Sequence, residues 1–319
     1  MDYQLLGNTG LTVSAIGLGT GGPSHIGVRT GRTELQSIAI IRTAIDNGIN
    51  FIDTAEAYGT EEIVGKAISD ERRETLIVST KLSHWEHANA QEISDALDKR
   101  LRLLHTDYVD ICHFHAVGLD SYDHVVEVLY PALARARDAG KVRFIGITEA
   151  FNPDPAHSTL TRALEANARD RLWDVMMVGF NILNQSARHR VFDVTRAAGV
   201  GVLDMFAVRL ALSRHGRLVE VIDGLIASGA LSEADLIEAG GTREDPLGWV
   251  VRDSDAATLV EAAYRFARHE PGIDVTLTGT GSREHLLANI AAAQRPPLDD
   301  GVVRRLRHLF RNVDSISGQ

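Results

Sequence analysis

Short β-rich runs alternate with amphipathic helical stretches eight times along this chain, and that alternation constrains the fold more than any other feature. The runs fall at 15–19, 50–53, 76–80, 108–114, 142–147, 175–178, 201–204 and 275–278. Helices are predicted at 33–47, 61–69, 91–103, 123–138, 157–169, 186–197, 217–228 and 283–293. Apolar runs bounded by turn residues read as strands buried on both faces, and strand–helix units in series build a parallel sheet. Eight such units in 319 residues predict a closed (β/α)8 TIM barrel. An open doubly wound sheet is the competitor, and it needs a glycine-rich turn feeding a helix after its first strand. Gly17-Leu18-Gly19-Thr20-Gly21-Gly22 has the glycines, but no helix-starting pattern follows directly.

Three segments lie outside the repeat. Residues 3–14 predict an N-terminal β-hairpin, 229–254 lengthen the seventh connection, and 296–319 add a C-terminal extra helix over 299–311. No linker of Pro/Gly/Ser composition divides the chain, so residues 1–319 are expected to form a single domain. No run is apolar and long enough to span a membrane, and no basic, apolar leader opens the sequence. A net charge of −10 argues against nucleic acid or an anionic membrane as main partner. Cys112 is the only cysteine, which excludes an internal disulfide and fits a reducing cytoplasm. Oligomeric state is not legible.

Chemistry in a barrel sits at the carboxyl ends of the strands. The second strand ends in Asp53 with Tyr58 in the loop beyond, the third in Ser79-Thr80-Lys81, and the fourth runs Asp110-Ile111-Cys112-His113-Phe114-His115. Neighbouring strands thus deliver Asp53, Tyr58, Lys81 and His115 to one rim. Tyrosine is a weak acid, with a reference pKa of about 10. A nearby ammonium, Lys81, would lower it, and Asp53 would hold that ammonium charged and oriented. Each residue alone has a plainer reading: a helix cap for Asp53, packing for Tyr58, a surface lysine, a core histidine. Their combination at one rim points to a tuned general acid.

With these residues in view, the chain resembles the aldo-keto reductases along nearly its whole length. The stretches DTAEAYG (53–59), STK (79–81), YVDICHFH (108–115) and GKVRFIGIT (140–148), then Gly279-Thr280 and Asn289, stand in family order. The resemblance implies reduction of an aldehyde or ketone, or oxidation of the matching alcohol. Hydride would come from NADP(H) as first choice or NAD(H) as the alternative, since no side chain donates hydride. It casts Tyr58 as proton donor, Lys81 and Asp53 as its partners, and His115 as the group orienting the substrate carbonyl.

Cofactor contacts are expected from Gly19, Thr20, Asp53, Thr148, Glu149, Met177, Met205, Phe206, Arg209, Gly279, Thr280, Ser282, Arg283, His285 and Asn289. Several of these depart from the family pattern. Glu149 stands where an asparagine usually reads the nicotinamide carboxamide, and as a carboxylate it accepts but cannot donate. Met177 replaces a glutamine, and Met205, with Phe206 beside it, replaces the stacking tyrosine. Arg209 is expected to neutralise the pyrophosphate, its plainer reading being a pair with a surface carboxylate. The residues aligned with the usual readers of the 2′-phosphate are Gly279 and His285, with Arg283 close by. His84 and Trp85 are expected to wall the substrate pocket. Two rival readings stand beside this one. The altered nicotinamide site would suit a nucleotide-sensing protein with little turnover, and His113 with His115 would suit a metal-dependent hydrolase if neighbouring strands supplied further ligands.

Overall fold

The hairpin forms from β1 (Tyr3–Leu5) and β2 (Thr12–Ser14), which pair antiparallel. Eight parallel strands then close into a barrel: β3 (Ile16–Gly19), β4 (Phe51–Asp53), β5 (Ile77–Leu82), β6 (Val109–Val117), β7 (Val142–Glu149), β8 (Val175–Gly179), β9 (Gly201–Met205) and β10 (Val275–Thr278). Their order round the barrel is β10-β3-β4-β5-β6-β7-β8-β9, so the first and last strands pair and no edge is left open. The structure, a computed structural model, describes residues 1–319. It bears out the barrel and the hairpin and leaves the open-sheet reading without support.

Strand alternation divides the core in two. Phe51, Ile77, Ile111, Val175, Met177, Leu203 and Val275 fill the barrel interior, with Leu6, Leu11 and Val13 of the hairpin region plugging its amino end. The residues between them, such as Val78, Cys112, Ile145, Ile147, Met176 and Val202, face outward and pack under the helices in a second cluster of 76 buried residues. The same alternation decides which residues at the carboxyl ends face the mouth.

Two differences from the sequence reading bear on the site. Strands β6 and β7 run further than expected, and a bulge interrupts their pairing between Phe114 and Val117. Bulges re-aim side chains at barrel rims, and this one falls at His115. The second is an unforeseen helix, Leu259–Arg268, which leads into β10 and packs against helix Arg283–Ala293. Its buried face includes Arg265, an unlikely core residue by type. Arg265 is tolerated because it pairs with Asp255 at 2.7 Å and Glu261 at 3.2 Å and donates to the Pro296 and Pro297 carbonyls. The expected 229–254 extension holds helices Glu233–Glu238 and Gly248–Arg252, and the last helix spans Asp300–Leu309. No helix is long and apolar enough to cross a membrane.

Candidate active site

Register places the acid cluster. Asp53 pairs with Ser79 across β4 and β5, and Lys81 with His113 across β5 and β6. Lys81 Nζ donates to Asp53 Oδ2 at 2.5 Å and to the Thr54 carbonyl at 2.8 Å, while Ser79 Oγ donates to Asp53 Oδ1 at 2.9 Å. The lysine is fully buried, and a buried charge is tenable only with such a complement of partners. Burial works against its ammonium, but Asp53 and Tyr58 outweigh that and hold its pKa above the ordinary value. Burial likewise leaves Asp53 above its usual range, although Lys81 and Ser79 pull it back.

Tyr58 ends a short helical turn, Glu56–Tyr58, closed by Gly59 in the left-handed region at φ 65°. Lys81 Nζ lies 4.9 Å from the centre of its ring. The expected fall in its pKa is corrected here. Burial is the largest influence and raises the phenol above its ordinary value, with Lys81 pulling down and Asp53 pushing up. Tyr58 is therefore protonated at neutral pH, as a proton donor must be.

His115 meets Tyr58 edge to face at 5.5 Å. The bulge that aims it is fastened by Ala116 N donating to Thr148 Oγ1 at 2.7 Å, which leaves the Thr148 hydroxyl proton free. Burial, then Lys81 and His84, lower the His115 pKa to about 3, so the ring is neutral. Its Nδ1 is buried without a partner. A bare lone pair there costs less than a bare N–H, which favours the tautomer with the proton on Nε2, able to donate to a substrate oxygen. Trp85, 51% exposed, lies 5.5 Å from His115 and meets His84 edge to face at 5.2 Å. Both expected pocket walls thus stand at the mouth.

His113 lies one layer deeper with neither ring nitrogen partnered, and Gly146 opposite leaves the space that its ring fills. No group of three or more His, Cys, Asp or Glu residues gathers to hold a metal ion, so the metal reading finds no third ligand.

Sequence reasoning missed two supports of this cluster. Glu56 Oε2 accepts from Ser83 N and His87 Nε2, both at 3.0 Å, tying the Trp85 loop to the Tyr58 loop. Arg100, buried, lies 3.5 Å from Glu56 and 3.1 Å from Glu61, which in turn accepts from Thr80 Oγ1 at 2.6 Å. The second support is His25, whose Nδ1 lies 2.9 Å from the Tyr58 carbonyl oxygen. Neither pattern has a periodic signal, because both join residues across loops.

The opposite side of the mouth differs. Glu149 continues the outward-facing series of Ile145 and Ile147 in the strand alternation, so it turns to the helix layer. Its Oε1 accepts from Gly179 N at 2.7 Å, and both oxygens lie within 3.0 Å of His157 Nδ1. Both side chains are fully buried. The expectation that Glu149 reads the carboxamide is corrected: its carboxylate is committed within the protein. His157 stacks on Phe151 at 5.4 Å, Phe151 on Phe206 at 6.0 Å, and the Arg209 guanidinium lies 3.8 Å over Phe206. Gly179 makes room for the Phe151 ring. Phe206 adopts φ 76° to join this column. Met177 and Met205 instead close the top of the barrel interior.

Arg209 pairs with no surface carboxylate. Its Nη2 donates to Asn152 Oδ1 at 2.7 Å and Ser317 Oγ at 3.4 Å, and its Nε is buried without a partner. Burial pulls its pKa to about 10, so it remains a cation. A half-buried cation without a counter-charge fits an anionic ligand.

Of the remaining cofactor candidates, Thr20 has its hydroxyl paired with that of Thr60 at 2.8 Å, which occupies the side chain expected to contact the cofactor, and Gly279 leaves room for the Gly19 carbonyl, 3.1 Å from where a Cβ would sit. Thr280 Oγ1 accepts from Ser282 N at 3.0 Å, and Ser282 Oγ caps helix Arg283–Ala293 through His285 N. Gly281 packs on the backbone at Gly27. Arg283 and His285 are exposed beside this helix start, which suits a phosphate. Asn289 Nδ2 donates to Thr278 Oγ1 at 2.9 Å and toward the Tyr264 hydroxyl at 3.3 Å, leaving Oδ1 as its available acceptor.

The chain matches the aldo/keto reductase family over residues 15–311 and belongs to that family. Its members are NAD(P)H-dependent oxidoreductases of small carbonyl compounds. Among curated relatives, it is 38% identical over 157 residues to L-galactose dehydrogenase of Arabidopsis thaliana, a stretch covering 46% of this chain and 48% of that protein. It is 39% identical over 166 residues to the aldo-keto reductase YhdN of Bacillus subtilis, covering 46% and 47%. These matches therefore span about half the length of either relative. In fold it is similar to an aldo/keto reductase from Klebsiella pneumoniae solved with NADP and acetate, with TM-score 0.70, 22% identity and coverage of 99% and 98%.

Proposed function

We propose that this protein reduces a small aldehyde or ketone, or oxidises the matching alcohol, with NADP(H) as cofactor. The observation that carries the reading is the buried Lys81–Asp53 pair set under the ring of a protonated Tyr58, with a neutral His115 beside it. Tyr58 donates the proton to the carbonyl oxygen. Lys81, held charged by Asp53, stabilises the phenolate that remains, and His115 Nε2–H orients the oxygen. When bound, the cofactor supplies hydride to the carbonyl carbon. Thr148 is free to donate to its carboxamide oxygen, and Met177 and Met205 supply an apolar floor for the nicotinamide. Arg209 and the start of helix Arg283–Ala293 hold phosphates, and Asn289 Oδ1 accepts from the adenine. Glu149 and Thr20 are supports rather than ligands. An ammonium aimed at a phenol has no use in a protein that only senses nucleotide, which favours turnover.

The test is a panel of aldehydes and ketones assayed with NADPH and NADH separately, alongside Tyr58→Phe. Turnover that Tyr58→Phe abolishes while cofactor binding persists supports the reading. Turnover equal in both proteins ends it.

A further inference from the structure

The loop after β3 carries a histidine whose placement the acid machinery does not explain. His25 and Ile26 both stand in the left-handed region, at φ 43° and φ 50°, a conformation that non-glycine residues avoid. Such strain persists only where the surroundings over-determine it, and it concentrates at functional sites. Here the constraints are visible. Gly21 lies so close to the Tyr58 ring that a Cβ would sit 2.6 Å from it, the Ile26 carbonyl accepts from Ser37 Oγ at 3.0 Å, and Gly27 packs on Gly281. The result is an imidazole, almost wholly buried, with its ring centre 5.8 Å from that of Tyr58.

The chemistry of that ring is determined by its one bond. A carbonyl oxygen only accepts, so Nδ1, 2.9 Å from the Tyr58 carbonyl, carries the proton. Burial lowers the His25 pKa, the Tyr58 carbonyl opposes this, and Arg29 adds to the lowering, so the ring stays neutral. Nε2 is then an unprotonated acceptor. It bonds nothing in the protein and is not among the buried unpartnered atoms, so it is the ring's open edge. With the ring centres of His25 and Tyr58 5.8 Å apart, this open acceptor lies in the neighbourhood of two donors, the phenol and His115 Nε2–H.

We infer that His25 is a substrate-contacting residue that selects carbonyl compounds bearing a hydroxyl on the neighbouring carbon. The carbonyl oxygen takes the two donors, and the adjacent hydroxyl donates to His25 Nε2. This rests on the reading of Tyr58 as proton donor. A substrate lacking the hydroxyl leaves the acceptor unmatched, and sites built around a substrate hydroxyl discriminate strongly against analogues without it. His25 thereby adds a requirement at the position next to the reacting carbon, while hydride and proton transfer stay as described.

Lactaldehyde and propanal differ by that single hydroxyl, and their kcat/KM values measure the effect. The wild-type protein is expected to prefer lactaldehyde by about tenfold or more, and His25→Phe, which keeps a ring and removes the acceptor, is expected to bring the ratio close to one. A wild-type ratio near one, or a ratio unchanged in His25→Phe, overturns the inference. A second readout needs no turnover and no variant that might misfold. In protein carrying ¹⁵N-labelled histidine, the His25 Nε2 resonance is expected to shift on adding hydroxyacetone and not on adding acetone. Equal responses to both, or none, overturn the inference too. If the shift appears while neither aldehyde is turned over with NADPH or NADH, the proposed reductase activity has failed and the hydroxyl contact stands.

Discussion

The two sides of the barrel mouth treat buried charge in opposite ways. On the side built by β4, β5 and β6, Lys81 and Asp53 satisfy each other in the interior and leave a phenol and an imidazole edge free to act on a ligand. On the side built by β7, β8 and β9, Glu149 and His157 also satisfy each other, but facing the helices, and their partners Phe151 and Phe206 are packed in a column. The same device, a buried carboxylate with a nitrogen partner, lies against the proposed proton donor on one side and braces the packing on the other. Which role it takes depends on the face of the strand from which the carboxylate springs.

Substitutions on the two sides should separate accordingly. The largest effect is expected at Tyr58→Phe, with kcat lower by about a thousandfold and unchanged NADPH affinity by fluorescence titration. Lys81→Met strands Asp53 in the interior, and chemical denaturation should show a loss of about 3–5 kcal/mol together with lost turnover. Glu149→Ala leaves Gly179 N and His157 without an acceptor, for about 1–3 kcal/mol of stability. NADPH affinity should change far less there than in Arg209→Ala, which would break the comparison if reversed. Arg209→Ala is expected to weaken NADPH binding about tenfold, the worth of one charge-assisted contact, with little change in kcat.

The last comparison is a pH dependence, small near neutrality and growing as the solution is acidified. His115 has a folded pKa of about 3 against about 6.5 unfolded, so between these values the unfolded chain binds more protons. Stability then falls as pH drops below about 6.5 toward 3. Thermal melts of wild type and His115→Gln should diverge progressively in that window, with the wild type losing more. Parallel melts would show that His115 is not held neutral.

The architecture was legible because strand alternation and helical periodicity are local, and the mouth residues Asp53, Lys81 and His115 end strands that the pattern marks plainly. Helix Leu259–Arg268 was legible too, since Leu259, Ala262, Ala263, Phe266 and Ala267 recur at helical spacing, but its buried Arg265 was not, because the partners that make it tolerable come from Asp255 and the Pro296 and Pro297 carbonyls. Glu149 was misplaced for a related reason. Its distance from the mouth depends on β7 running on to Glu149, and on His157, eight residues away, turning back to meet it.

The sequence alone determined that eight parallel strands would bring an aspartate, a lysine, a tyrosine and a histidine to one rim, since spacing and alternation are properties of the chain. Only the tertiary structure decided which polar groups would be free there. A hydrogen bond is spent wherever a partner lies within about 3 Å, and those partners come from distant loops. Through them Glu149 and Thr20 are committed within the fold, while Tyr58, Arg209 and the open edge of His25 remain available to a ligand.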